Sequence, residues 1–118
     1  MQSLFLALSV GSGNIVAPPG PLTPPTVAPV LSVTTQFGSN TALLEWTASD
    51  KTSSSGFGYE VEWKIGDGGW AGVTTTSLSY EYTDGSASGS TYYFRVTPYN
   101  DAGDGPVSNE VSTVLPGE

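Results

Sequence analysis

The stretch Tyr59–Ile65, YEVEWKI, sets Tyr59, Val61, Trp63 and Ile65 on one side and Glu60, Glu62 and Lys64 on the other. Apolar residues at period two, with charged residues between them, are the mark of an antiparallel strand with one buried and one wetted face. The segment 91–99, TYYFRVTPY, repeats the pattern, with Tyr92, Phe94 and Val96 on the inward phase. These two segments set the reading of the rest of the chain.

Working outward, Val30–Thr35 (VLSVTT) reads as a first strand and Ala42–Trp46 (ALLEW) as a second, with Ala42, Leu44 and Trp46 on one side. The Ser- and Gly-rich segment Thr47–Gly58 is a loop. The run Gly66-Asp67-Gly68-Gly69 marks a turn. Trp70–Thr75 and Leu78–Thr83 are extended, and Asp84–Ser90 is a second turn. Asn100–Val107 is a loop, and Asn109–Leu115 closes the chain. Seven short strands separated by turn clusters, with no long helical period, predict an all-β antiparallel sandwich.

Composition agrees. Gly and Pro together make 24 of the 118 residues, and Ser, Thr, Val and Tyr are abundant, a mixture suited to strands and turns. Cysteine and histidine are both absent. That removes a disulfide framework, thiolate metal sites and any catalytic set built on imidazole. Eleven acids stand against Lys51, Lys64 and Arg95, for a net charge of −8. Such a chain is repelled by nucleic-acid phosphates and by anionic membranes, so neither is expected as a partner.

The first 29 residues differ from the rest. Met1–Val10, MQSLFLALSV, places Leu4, Leu6, Leu8 and Val10 on one strand face and Ser3, Phe5, Ala7 and Ser9 on the other. The apolar run is too short to cross a bilayer as a helix. No Lys or Arg precedes it and its cleavage site is poor, which argues against a secretory signal. Two readings stand side by side: a leader with no fold of its own, or a strand that adds to a partner's sheet edge through Leu4, Phe5, Leu6, Leu8 and Val10. Residues 11–29 carry six of the nine prolines and read as a semi-rigid polyproline linker outside the sandwich core.

Three candidate chemistries can be weighed. Glu60 and Glu62 share a strand face, as a catalytic acid pair might require, yet a solvated face accounts for them. Asp101 and Asp104, with Asp67 and Asp84 in other turns, offer oxygen ligands to calcium, but their spacing matches no binding loop. Neither a metal nor a cofactor is therefore expected. Among the aromatic residues, Trp46, Tyr92 and Phe94 fall on the core phase. Trp70 and Tyr93 fall opposite to it and are the candidates for surface contact, including stacking on sugar rings.

From Val30 to Gly117 the sequence resembles a fibronectin type III domain, an immunoglobulin-like sandwich. The resemblance rests on Leu31 after a proline-rich entry, Trp46 in LLEWTAS, Tyr59 and Val61 in GYEVEWK, and GSTYYFRV with Tyr92 at the corner-tyrosine position. The loop Asn100–Pro106 followed by Ser108 completes it. Ser86 and Ser88 replace the family's usual leucine and proline, so Tyr80 and Tyr82 are expected to help fill the core. The corner tyrosine is expected to bond nearby backbone. The adhesion tripeptide of some members is absent from Asn100–Val107, so integrin recognition is not implied.

The expected organisation is an apolar docking strand (1–10), a linker arm (11–29) and the sandwich (30–118). The expected function is a non-enzymatic structural or binding module. The chain begins at Met1, ends just after its last strand and lacks a clear signal, while type III domains normally work outside cells. A bacteriophage decoration protein reconciles these features: anchored to capsid or tail subunits by its arm and displayed on the virion surface, with surface glycans as further candidate partners. The alternatives are a spacer contacting neighbouring domains in a secreted bacterial enzyme or adhesin, or an extracellular carbohydrate-binding module.

Overall fold

The computed structural model describes residues 21–35 and 40–116. Its strands are β1 (Leu31–Thr35), β2 (Thr41–Trp46), β3 (Gly58–Ile65), β4 (Ala71–Thr75), β5 (Ser79–Thr83), β6 (Thr91–Asn100), β7 (Gly103–Asp104) and β8 (Val111–Val114). All pairings among the described residues are antiparallel. One sheet runs β1-β2-β5. The other runs β4-β3-β6, and both β7 and β8 pair with β6. The expected sandwich is present, with all seven expected strands. The eighth, β7, lies within the segment read as a loop. The Ala102 N–H donates to Asn100 Oδ1 at 2.8 Å, which closes a tight turn, and Gly103 at φ 138° bends the chain back beside β6.

Side-chain alternation creates the core. Leu44 and Trp46 from β2 meet Tyr59 and Val61 from β3 and Tyr92, Phe94 and Val96 from β6, all buried. Such residues drive the two sheets together, each fully buried large side chain contributing roughly 1.5–3 kcal/mol. Trp46 packs edge-on against Tyr59 with centroids 5.7 Å apart. Tyr82 fills the space between Tyr92 and Phe94, at 5.7 and 5.5 Å. Tyr80 is half-buried and stacks on Trp63 at 6.3 Å. Both tyrosines thus take part in core packing as expected, joined by Ala87. Ile65 keeps the inward phase of β3 but is 43 % exposed, because it is the strand's last residue before the Gly66 turn.

Two expectations need correction. The Tyr92 hydroxyl donates to a side chain, Asp84 Oδ2, instead of to backbone. Ser86 explains why: its N–H and hydroxyl both donate to Asp84 Oδ1, at 2.9 and 2.8 Å, and aim the second carboxylate oxygen at the corner. An ionised acceptor makes the stronger bond.

The second correction concerns the linker. Residues 23–29 lie against the sandwich, with Pro25 and Pro29 buried. The Thr26 N–H and hydroxyl donate to the two carboxylate oxygens of Asp50, at 2.7 and 2.5 Å. Ser49 Oγ donates to the Val27 carbonyl at 2.6 Å. Asn100 Nδ2 donates to the Thr23 carbonyl at 2.9 Å, and Lys51 Nζ donates to Thr23 Oγ1. A side chain at Gly105 would put its Cβ 2.6 Å from the Pro25 carbonyl oxygen, so the strand edge there admits only glycine. The proline-rich pattern fell on a stretch, residues 21–30, that has neither helix nor strand. It carried no sign of the pockets that receive the rings.

Two outcomes follow from this packing. A chain beginning at Thr23 keeps all of these contacts and serves as the reference. One beginning at Val30 loses buried proline surface and five hydrogen bonds, costing about 2 kcal/mol in urea unfolding. The second outcome concerns pH. The Tyr92 hydroxyl, then Ser86, hold Asp84 below its ordinary 3.8. A carboxylate depressed in the folded state stabilises at pH values above its unfolded pKa, and that contribution fades as pH falls from there through the folded value. Tyr92→Phe should flatten this part of the acid-unfolding profile measured by circular dichroism.

Candidate functional site: the outer face of the five-stranded sheet

Residues of β3 and β6 that turn away from the core share one surface. Register places Glu62 opposite Arg95 and Lys64 opposite Tyr93. Trp63 pairs with Ala71, so Trp70 follows the other phase and lies beside Lys64. The result is a layered cluster. Lys64 Nζ stands 5.0 Å from the Trp70 ring centroid and 5.3 Å from that of Tyr93. The Arg95 guanidinium carbon lies 3.9 Å from the Trp70 centroid. Arg95 Nε also donates to Glu62 Oε1 at 2.8 Å.

Physical chemistry explains why these groups gather. A guanidinium or ammonium is attracted to the negative face of an aromatic ring, by about 0.5–1 kcal/mol where water is near. The long stems of Lys64 and Arg95 cover apolar ring surface while their charged heads stay wet. Gly72 makes room. A Cβ there would sit 3.0 Å from the Val61 carbonyl oxygen and 3.2 Å from Glu62 Cγ, crowding the carboxylate that holds Arg95. The outward residues of β6 are accordingly half-buried where an ordinary solvated face would be exposed.

Trp70 and Tyr93, the two residues expected to mark a contact surface, thus meet on one face and are bridged by Lys64. Their rings are engaged by cations. Glu62 is an ion-pair partner, which takes it out of a two-carboxylate arrangement with Glu60. The turn aspartates do not converge: Asp84 serves Tyr92, and Asp101 accepts from Ser55 Oγ at 2.7 Å. Among the described residues no group of three acids could hold a metal ion. Leu4, Phe5, Leu6, Leu8 and Val10 lie outside the described residues.

Lys64, Arg95 and Gly72 were not singled out as contact residues from sequence, and Glu62 was weighed only as half of an acid pair with Glu60. The alternation of YEVEWKI and TYYFRVTPY shows that Glu62, Lys64 and Arg95 are outward. Only the pairing register shows that they face one another. Two open clefts lie elsewhere. One of about 520 Å³ is bounded by Pro21–Thr23 and Lys51–Ser54. The other, of about 320 Å³, lies between the sheets at one end, lined by Ala48, Thr52, Phe57, Tyr59, Thr76 and Leu78. Neither has a carboxylate in its lining.

Residues 23–114 match the family model of the fibronectin type III domain. The chain belongs to the fibronectin type III family. Members are generally non-catalytic modules and commonly mediate protein–protein contacts. Similar solved structures include the chicken CNTN1 FN1-FN3 domains, at 28% identity and TM-score 0.65, covering 80% of this chain and 35% of that one. This chain therefore spans about a third of that structure's length. The sixth type III domain of human fibronectin type III domain containing protein 3 is similar at 26% identity and TM-score 0.64, covering 85% of this chain and 92% of that one. A structure described as a myokine shares the fold, at 21% identity and TM-score 0.61, covering 77% of this chain and 98% of that one. No curated protein matches the chain.

The cluster predicts coupled energetics. Trp70→Ala should lower the unfolding free energy by about 1 kcal/mol. A double-mutant cycle between Glu62 and Arg95 should give a coupling of about 0.5–1 kcal/mol that shrinks with added salt, since both side chains remain partly wetted.

Proposed function

We propose that this chain is a non-enzymatic binding module that meets a protein partner through the outer face of its five-stranded sheet. The observation that carries the reading is the Lys64–Trp70–Tyr93–Arg95 cluster. Two of the three cations of a chain with net charge −8 are concentrated there beside two large aromatic rings. Arg, Trp and Tyr are the side chains that most often anchor protein interfaces. A basic spot on an acidic surface also steers an acidic partner into one orientation. A protein surface is favoured over a sugar because the Trp70 ring already carries two cations.

For the setting, we infer a virion surface, with the module decorating a phage capsid or tail. An apolar period-two segment followed by a proline-rich stretch suits a tether to a larger shell, with the sandwich projecting from it. The chicken match, to a run of several such domains, favours a second reading as a spacer between neighbouring domains.

Quantitative affinity capture tests the binding face. A partner retained by the natural chain should be lost at least tenfold from Trp70→Ala and from Lys64→Glu, with unfolding curves showing both variants folded. Equal capture by both variants removes this face from the function. A tryptophan-fluorescence response to soluble glycans that Trp70→Ala abolishes would instead assign the face to sugar. For the setting, the chain should be detected on purified particles, and a chain lacking residues 1–10 should fail to join them.

A further inference from the structure

The three cations of this chain are used unequally. Lys51 Nζ donates to Thr23 Oγ1 and to the Pro24 carbonyl, so it is spent on holding the entry segment. The two cations of the Trp70 face keep most of their donors. Arg95 carries five N–H groups and Lys64 three. Among the described residues the one acceptor they meet is Glu62 Oε1, which takes the Arg95 Nε–H at 2.8 Å. The terminal nitrogens of Arg95, the Lys64 ammonium and the neighbouring Tyr93 hydroxyl have no acceptor among the described residues. All three side chains are half-buried.

Charge shows the same surplus. Lys64 and Arg95 stand over one ring, 5.0 and 3.9 Å from the Trp70 centroid. Like charges held this close repel one another, and Glu62 neutralises only one of them. Glu60 lies farther along β3, on the side away from Lys64, with Oε2 3.4 Å from the place a Gly72 Cβ would take. Glu110, just before β8, is exposed and forms no ion pair among the described residues. One positive charge is left uncompensated on the ring.

We propose that this cluster receives a single carboxylate of the partner protein, an aspartate or glutamate side chain held by Arg95 and Lys64 beside the Trp70 ring. The inference rests on the reading of this face as a protein-binding surface and names the group that the face recognises.

The geometry of the guanidinium selects the ligand. Its donors form two flat edges that match a carboxylate. Nε belongs to one of them and is committed to Glu62. The edge made by the two terminal nitrogens remains, and two parallel N–H···O bonds to one planar carboxylate fit it. Glu62 fixes the near end of the group and the Trp70 ring confines its plane. The edge is thus set before a partner arrives, and little side-chain freedom is lost on binding. Lys64 is a point charge on a flexible stem, so it adds a donor without imposing an orientation. Charge-assisted bonds of this kind are about 2.7–2.9 Å long, so one carboxylate reaches both cations over a single ring. Its one negative charge matches the one left on the cluster. A phosphate carries about two and is repelled more strongly by the rest of an acidic chain.

Arg95 is the chain's one arginine, so its Nε–H gives a single side-chain NMR signal. Titrating the full chain at constant ionic strength with N-acetylglutamate N-methylamide, which offers one carboxylate, should shift that signal to saturation below about 100 mM. Followed at the Trp70 indole N–H, Arg95→Lys should weaken binding about fivefold, because it keeps the charge and loses the flat edge. Lys64→Gln should weaken it about threefold. Urea unfolding checks that both variants fold. A shift that never saturates, or an unchanged affinity in Arg95→Lys, overturns the proposal. Tighter binding of methyl sulfate or methyl phosphate overturns it too, by assigning the site to an ester anion. If the carboxylate does not bind while Trp70→Ala still abolishes partner capture, this inference falls and the protein-binding reading stands. Saturable carboxylate binding with capture unchanged in Trp70→Ala and Lys64→Glu supports the site and removes that reading instead.

Discussion

The antiparallel register between β3 and β6 is the constraint on which the rest of the structure depends. It places Val61 opposite Val96 and Trp63 opposite Phe94 on the inner face, and Glu62 opposite Arg95 and Lys64 opposite Tyr93 on the outer face. A slip of one residue would reverse both faces at once, burying the charges and exposing the aromatic rings. Core and cluster are therefore two consequences of one pairing. Desolvating the inner face supplies the driving force that keeps the outer cations and rings within reach of one another.

The smaller sheet depends on that frame through aromatic side chains. Tyr82 touches Trp63, Tyr92 and Phe94, so β5 is held to the larger sheet largely by ring packing. The corner at Asp84 then ties the turn after β5 to β6 through the Tyr92 hydroxyl. Replacing the family's usual leucine with Ser86 shifts part of the turn's stabilisation from apolar packing to hydrogen bonds on a carboxylate. That exchange makes the corner responsive to acid.

The flanks divide the molecule into a closed and an open side. Asn109 imitates backbone by offering both an acceptor and a donor to Leu31, which satisfies a strand edge without adding a strand. The prolines of the entry segment lie against the β7 end of the same flank, where the glycines leave space. The opposite flank offers β4 and β5 edges of little charge and an apolar cleft at one end. Among the described residues, the edges left unpaired thus lie on one side of the sandwich, at β4 and β5.

Much of this was legible in the residues themselves. Period-two alternation gave the seven main strands, the inward phase of Trp46, Tyr59, Val61, Tyr92, Phe94 and Val96, and the outward phase of Trp70 and Tyr93. Alternation is a local property, dictated by the pleat, and can be read without knowing any neighbour. It could not reveal that Lys64 stands between Trp70 and Tyr93, that Asp84 receives the Tyr92 hydroxyl, or that Pro25 and Pro29 are buried in the sandwich. Each of those joins residues on different strands or loops, and which side chains meet there depends on register and chain path. Local alternation is enough to say which residues face inward and which face water; their partners follow only from how strands are aligned and sheets stacked, across distances that no local pattern encodes.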